Sequence, residues 1–359
     1  MTSSDRRSLS AGKLRGMISL ADERGVFKMV AVDQRPPIFK ALARHGNRDV
    51  SDVGYEEIAA VKRLLTKILA PQSTAILIDP IWTHPHVLES IPGRVGLIST
   101  LEDHNFELRG GERWSYPIEG WSVEKIRRTG ASAVKILLWD RPDVRADTRA
   151  HQDRFVMQVG DACRRFDIPF ILELVTYTRD GEVEESAEHA AAKPERVIGS
   201  VAHYSDEAFG VDLFKLQFPA DLKYCMEYAH GEFDGQRREA AYSLGEVSRL
   251  LAELHASTDA PWVLLSAGVG PKEFQEQLRL AFAAGASGFL AGRAIWLDAL
   301  DNYPDVTAIE VRLNQRSLPY LRKIADLANE AASWRAHPRY GGKVVMEGRS
   351  SDWYKRYGS

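Results

Sequence analysis

Cysteine is scarce in this chain: 359 residues hold two, Cys163 and Cys225. Two thiols in so long a chain make neither a disulfide framework nor a zinc signature. They read as small apolar residues kept reduced in the cytoplasm. No run of about 18 apolar, uncharged residues occurs, so no membrane-spanning helix is expected. The N-terminal stretch MTSSDRRSLSAGKLRG lacks the continuous apolar core of a secretion signal. A charge excess is missing too: 47 Lys plus Arg stand against 50 Asp plus Glu, a net charge of −3. That excludes the broad basic footprint of a nucleic-acid binder, and leaves any anionic ligand to a few local cations. Internal repeats and low-complexity linkers are absent as well.

What is present is a recurring unit of apolar run, turn and amphipathic stretch. The runs cover residues 26–33, 74–79, 95–100, 132–139, 169–177, 211–218, 261–268 and 287–292. They are nearly continuous in aliphatic and β-branched residues, as strands covered on both faces are. Helical stretches lie between them at 55–69, 122–131, 145–166, 193–204, 239–257, 271–286 and 293–300, with Pro194 and Pro271 read as first-turn prolines. About eight strand–helix units predict an α/β fold, a single (β/α)8 TIM barrel. A doubly wound open sheet is the competing arrangement, but no G-x-G-x-x-G follows the first run. Residues 81–121 are turn-rich and aromatic and predict extended loops over one barrel end. The stretch after 335 is basic and glycine-punctuated, which divides the chain into a barrel domain at 1–335 and a C-terminal arm at 336–359.

Four ionisable residues fall inside or at the ends of apolar runs: Asp33, Lys135, Glu173 and Lys215. An isolated buried charge costs several kcal/mol or neutralises itself, so the four are expected together. The last three are 38 and 42 residues apart, about one strand–helix unit each, which brings them to one rim. Buried ion pairs are the bland alternative. The chemistry such a cluster suits is amine catalysis. A lysine attacks a ketone only when deprotonated, and a second ammonium with partial desolvation favours that state. Lys215 fits the nucleophile, Glu173 the acid/base, Lys135 the neighbouring cation and Asp33 a polar organiser. The last two runs, LLSAGV and FLAGRAIW, end in small residues before helices. That suits a phosphate site, with Arg293 as its cation.

The segments AVDQR (31–35), LIDP (77–80), SAVKILLW (132–139), IPFILEL (168–174), DLFKLQFP (212–219), LLSAGV (264–269) and AGRAIW (291–296) together resemble the class I tagatose-1,6-bisphosphate aldolase family, including its sulfofructose-phosphate aldolase relatives. The resemblance implies a (β/α)8 barrel with no metal and no cofactor. It makes Lys215 the Schiff-base lysine, Glu173 the acid/base, and Lys135 and Asp33 their partners. It places the ketose C1 phosphate on Ser266, Gly268, Gly292 and Arg293, and adds Gln34 and Arg35 to the substrate-binding set. Pro36-Pro37 after DQR departs from the small residues common in relatives, so the first loop is expected to differ.

The expected activity is cleavage of a ketose 1-phosphate bearing a second anion into dihydroxyacetone phosphate and a three-carbon aldehyde. Sulfofructose 1-phosphate is the alternative substrate, giving sulfolactaldehyde. A non-catalytic sugar-phosphate-binding protein is the second alternative. A metal-dependent enzyme is a further one, with Asp79, His84 and His86 as ligands. Arg35, Arg109 and Arg113 are candidate cations for the distal anion. Trp353 and Tyr354 mark the arm either as a loose or subunit-contacting terminus or as a flap over the site. The partners expected are a sugar phosphate and further copies of the chain in a homo-oligomer, with neither nucleic acid nor membrane.

Overall fold

The computed structural model describes residues 8–358; residues 1–7, where the polar N-terminal stretch begins, and Ser359 at the end of the arm lie outside the described residues. Eight parallel strands close into a barrel: β1 Phe27–Ala31, β2 Ala75–Ile78, β3 Gly96–Thr100, β4 Ala133–Trp139, β5 Phe170–Val175, β6 Leu213–Leu216, β7 Trp262–Leu264 and β8 Gly288–Ala291. They follow one another in chain order around the ring, β8 pairing with β1. All eight expected strands are present. Several are shorter than their apolar runs, because the ladder ends at the rim while the apolar pattern continues into the loops. Asp33 accordingly lies two residues beyond the end of β1.

The period-2 alternation of a strand sorts side chains into two cores. Val30, Ile76, Val134, Leu172 and Phe214 face outward and pack beneath the helices. Met29, Leu77, Ile98, Ala133, Ile171, Leu213, Val263 and Leu290 face inward and fill the barrel. Below them the helix Ala11–Leu20 contributes Met17 and Leu20, and Trp334 and Tyr340 complete the plug, their rings edge to face at 5.1 Å. The barrel is therefore packed solid from below.

The helices Ala11–Leu20, Pro36–Gly46, Val306–Arg312 and Leu318–Leu327 lie outside the expected stretches, and two expected helices start elsewhere than expected, for a shared reason. The stretch expected from 193 starts at Ala187, because Ser186 caps it by accepting from the His189 N–H, and Pro194 sits inside the helix. The stretch expected from 239 starts at Leu244, where Ser243 and Glu246 form a capping box. In both, a capping side chain fixes the boundary and the apolar pattern does not. Pro271 does open its helix, Pro271–Ala283.

After β3, which runs through it, the 81–121 region continues past the carboxyl ends of the strands and includes a hairpin, Glu107–Arg109 with Glu112–Trp114. Its turn is Gly110-Gly111, with φ of +59° and +78°. Two consecutive left-handed residues are what a two-residue hairpin turn demands, so glycine is needed at both.

The arm goes the other way. Val345–Met346 pairs in parallel with Ser8–Leu9. The Tyr357 hydroxyl donates to the Asp167 carboxylate, just ahead of β5. The same carboxylate accepts from the Ser10 hydroxyl and from the Gly12 and Lys13 N–H groups. Trp353 and Tyr354 thus lie at the amino ends of the strands, and the flap over the site is not formed. Replacing the fully buried Tyr340 by alanine opens a cavity under the plug. The expected cost is about 3–5 kcal/mol in urea unfolding, with turnover per folded molecule retained.

Candidate active site

Above the apolar plug, the next inward positions carry charge. Lys135, Glu173 and Lys215 share the inward parity of Ala133, Ile171 and Leu213, two residues further along the same strands. Register sets Glu173 directly beside Lys215 and Lys135 beside Thr100. Lys135 Nζ donates to Asp33 Oδ2 at 2.9 Å, Glu102 Oε1 at 2.9 Å and Glu173 Oε2 at 2.8 Å. Lys215 Nζ donates to that same Glu173 Oε2 at 2.9 Å. Arg35 reaches Glu102 Oε1 at 3.2 Å and the Glu102 carbonyl at 3.1 Å. Three cations and three carboxylates, all buried, therefore balance at the top of the barrel. The four expected residues converge, and the second ammonium expected near Lys215 is present.

Sequence reasoning missed Glu102. It follows the third apolar run, and its parity matches Ile98 and Thr100, which was the available signal.

Burial would by itself raise the Asp33 and Glu173 pKa values, but the charges of Lys135 and Lys215 overcome it and hold both carboxyls below the usual range. Burial opposes the charge on Lys135, and Asp33, Glu102 and Glu173 outweigh it, so its pKa is raised.

A cavity of about 380 Å³ opens above the cluster, with Asp33, Lys135, Glu173, Trp139, Thr176 and Arg293 among its walls. Lys215 lies one hydrogen bond behind this lining, against Glu173. Three buried polar atoms of the lining, Asp33 Oδ1, Gln34 Oε1 and Thr176 Oγ1, have no hydrogen-bond partner among the described residues. Buried polar atoms are normally paired, so these acceptors suit ligand hydroxyls.

The glycine-rich ends of β7 and β8 meet at one side of the cavity. A Cβ on Gly268, whose φ is +89°, would stand 2.8 Å from the Arg293 guanidinium. A Cβ on Gly292 would stand 2.6 Å from the Ala31 carbonyl oxygen and 2.8 Å from Gln34 Nε2. Both close approaches require glycine. They seat Arg293 and Gln34 on the wall, and Ser266 is buried in the loop after β7 that also holds Gly268. The Arg293 guanidinium has neither a hydrogen bond nor an ion pair among the described residues. Burial lowers its pKa, and Glu173 and Asp33 act against that.

The metal alternative is corrected. Asp79 is taken up by Lys62 at 2.5 Å and by the Ile81 and Trp82 N–H groups. His84 contacts Ser99 and His86 contacts Tyr55, so the three residues do not converge. Of the expected distal cations, Arg35 is held in the cluster, Arg109 pairs with Glu107 on the exposed hairpin, and Arg113 lies against aromatic rings.

A family model described as DeoC/LacD family aldolase matches residues 27–298, from the first residue of β1 to beyond β8. The chain belongs to the DeoC/LacD aldolase family. As a family member it is a lyase, and the matched stretch holds every residue of the cluster. The chain is 29% identical to tagatose 1,6-diphosphate aldolase 2 of Streptococcus agalactiae over 297 residues, covering 82% of this chain and 88% of that one. It is 31% identical to the Streptococcus mutans protein of the same name, covering 82% and 87%. Among solved structures, the fructose-bisphosphate aldolase of Plasmodium falciparum aligns with a TM-score of 0.65 at 14% identity, covering 90% of this chain and 97% of that one. An archaeal fructose 1,6-bisphosphate aldolase aligns at 0.53 and 17%, covering 87% and 97%. At those identities the likeness is one of fold.

The charge balance of this DeoC/LacD barrel has a measurable signature. Lys135→Met leaves three buried carboxylates against two cations, and breaking a buried ionic group costs about 3–5 kcal/mol. In the unaltered protein, Asp33 and Glu173 have depressed folded pKa values. Their stabilisation is complete above about pH 4.5 and is lost as pH falls through those values. In the variant one carboxylate is uncompensated and its pKa is raised. Melting temperature against pH is therefore expected to rise from pH 7 to about pH 5 in Lys135→Met and not in the unaltered protein.

Proposed function

We propose that this chain is a class I aldolase that cleaves a ketose 1-phosphate with a second anionic group, of the tagatose 1,6-bisphosphate type, into dihydroxyacetone phosphate and a three-carbon aldehyde. The observation that carries the reading is the buried contact of Lys215 Nζ with Glu173 Oε2, an oxygen that Lys135 also holds. Phosphate binding alone requires no such buried amine and carboxylate pair, which argues against a purely binding role. The curated relatives named above support the substrate type. One structural neighbour is described as a Schiff base forming fructose-1,6-bisphosphate aldolase.

In this reading Glu173 first takes a proton from the Lys215 ammonium along the 2.9 Å hydrogen bond. The freed amine attacks the C2 carbonyl and gives a carbinolamine. Glu173 returns its proton to the carbinolamine hydroxyl, which leaves as water, and an iminium ion remains beside an ionised Glu173. Glu173 then accepts the C4 hydroxyl proton as the C3–C4 bond breaks. The electron pair flows into the iminium, so the aldehyde departs and a neutral enamine stays. The same proton goes to C3, and hydrolysis releases dihydroxyacetone phosphate. Lys135 stays charged throughout and holds the Glu173 carboxylate in place. Asp33 Oδ1 and Gln34 accept from substrate hydroxyls. Arg293, in the small-residue seat of Ser266, Gly268 and Gly292, takes the C1 phosphate, and Arg35 orders the rim through Glu102. Sulfofructose 1-phosphate would pass through the same steps with a sulfonate at the distal end. In this reading residues 1–335 are the aldolase domain and 336–359 an arm, of which Tyr340 is taken up into the barrel plug. The two free, buried thiols support a reducing, cytoplasmic setting.

Borohydride reduction in the presence of dihydroxyacetone phosphate, followed by peptide mass spectrometry, is expected to place the adduct on Lys215. An active preparation without that adduct overturns the assignment. Glu173→Gln is expected to lower kcat per folded molecule by about 10²–10⁴, and to lower the melting temperature as well, because it leaves three buried cations against two carboxylates.

A further inference from the structure

Arg113 is a half-buried arginine packed against Trp139 in the cavity wall, and among the described residues no carboxylate pairs with its guanidinium. It sits on the returning strand of the hairpin, Glu112–Trp114, with its N–H donated to the Tyr177 hydroxyl at 3.3 Å. Its guanidinium carbon lies 4.2 Å from the Trp139 ring centre, 4.4 Å from Phe106 and 4.9 Å from Tyr177. Rings hold a cation in position without using its N–H donors. Among the described residues, that guanidinium makes neither a hydrogen bond nor an ion pair. Its neighbours behave differently: Arg109 is on Glu107, Arg141 on Glu182 and Arg179 on Glu112. Glu184, exposed on the 176–186 loop, is near enough to act on Arg113's charge but forms no hydrogen bond with it.

Position sharpens the point. Trp139 ends β4 and forms part of the cavity wall. In a ring of eight, β4 stands opposite β8, which leads into Arg293. Between them on one side come β6 with Lys215 and β5 with Glu173. A ketose with its C1 anion at Arg293, C2 at Lys215 and the C4 hydroxyl at Glu173 therefore runs around the rim toward Arg113. Arg35, the other inner arginine, already has its donors on Glu102.

We propose that Arg113, presented by its aromatic cage, is the specificity-determining contact for the oxyanion at the distal end of the substrate, phosphate or sulfonate. The proposal rests on the Schiff-base reading given above. A planar fork with unengaged donors suits a tetrahedral oxyanion. A site built for a charged group rejects substrates that lack it.

The test compares kcat/KM for tagatose 1,6-bisphosphate, sulfofructose 1-phosphate and a ketose 1-phosphate without a distal anion, in the unaltered protein, Arg113→Met and Arg113→Lys. The ratio of the preferred dianionic substrate to the ketose 1-phosphate is expected to fall about 100-fold in Arg113→Met. Arg113→Lys, which keeps the charge without the fork, is expected to lie between. Which dianionic substrate the unaltered protein prefers identifies the distal group. A ratio unchanged within about twofold in both variants overturns the proposal, as does an equal loss on all three substrates, which marks Arg113 as a brace for the hairpin. Should Arg113→Met not fold, the Arg113→Lys ratio decides alone. Borohydride trapping of the unaltered protein separates the two failures: no adduct removes the Schiff-base reading and this proposal with it, whereas an adduct with unchanged ratios removes Arg113 alone.

Discussion

One carboxylate oxygen, Glu173 Oε2, lies within hydrogen-bond distance of two buried ammonium groups. Neither lysine would be tolerated alone in a dry barrel. Asp33 and Glu102 complete the balance on Lys135, and Arg35 completes it on Glu102. The arrangement is mutual: Asp33 and Glu173 stay ionised because of the lysines, and Lys135 stays charged because of the carboxylates around it. The loops that supply Asp33, Arg35 and Glu102 are thereby pinned to the rim, and with them the walls of the cavity. A cluster of this kind contributes little net stability. What it provides is a fixed place for a proton to leave and return.

The barrel divides this labour along its axis. Its lower half is an apolar plug closed by Met17, Leu20, Trp334 and Tyr340. Its upper half holds the ions and the cavity. The two halves are built from the same strands, and a step of two residues separates Ala133 from Lys135, Ile171 from Glu173 and Leu213 from Lys215. The plug excludes water from beneath the ions, which strengthens every interaction above it.

Most of this pattern was readable from sequence because strand periodicity is local. Eight apolar runs, with three charges one strand–helix unit apart, already implied a barrel and a shared rim. Glu102 escaped because it stands past the end of its run, where burial comes from the loops and from Arg35. The helix starts at Ala187 and Leu244 escaped because a cap depends on a single hydroxyl, and hydroxyls are common. The direction of the arm escaped because its partner, Asp167, lies 190 residues away in the chain. Arg113 was visible as a candidate but not as an unpaired one, since pairing is a property of three dimensions.

Asp167 carries a consequence of its own. It binds Ser10, Gly12 and Lys13 near the start of the described chain and Tyr357 near its end. The parallel pairing of Ser8–Leu9 with Val345–Met346 reinforces the meeting. Head and tail are thus sewn together on the face away from the chemistry, and the chain is close to a loop in topology. A protein of this design lends itself to circular permutation: a linker can bridge residues 8–13 and 345–357 where they meet, and a new opening can be made elsewhere on the underside without touching the ionic rim.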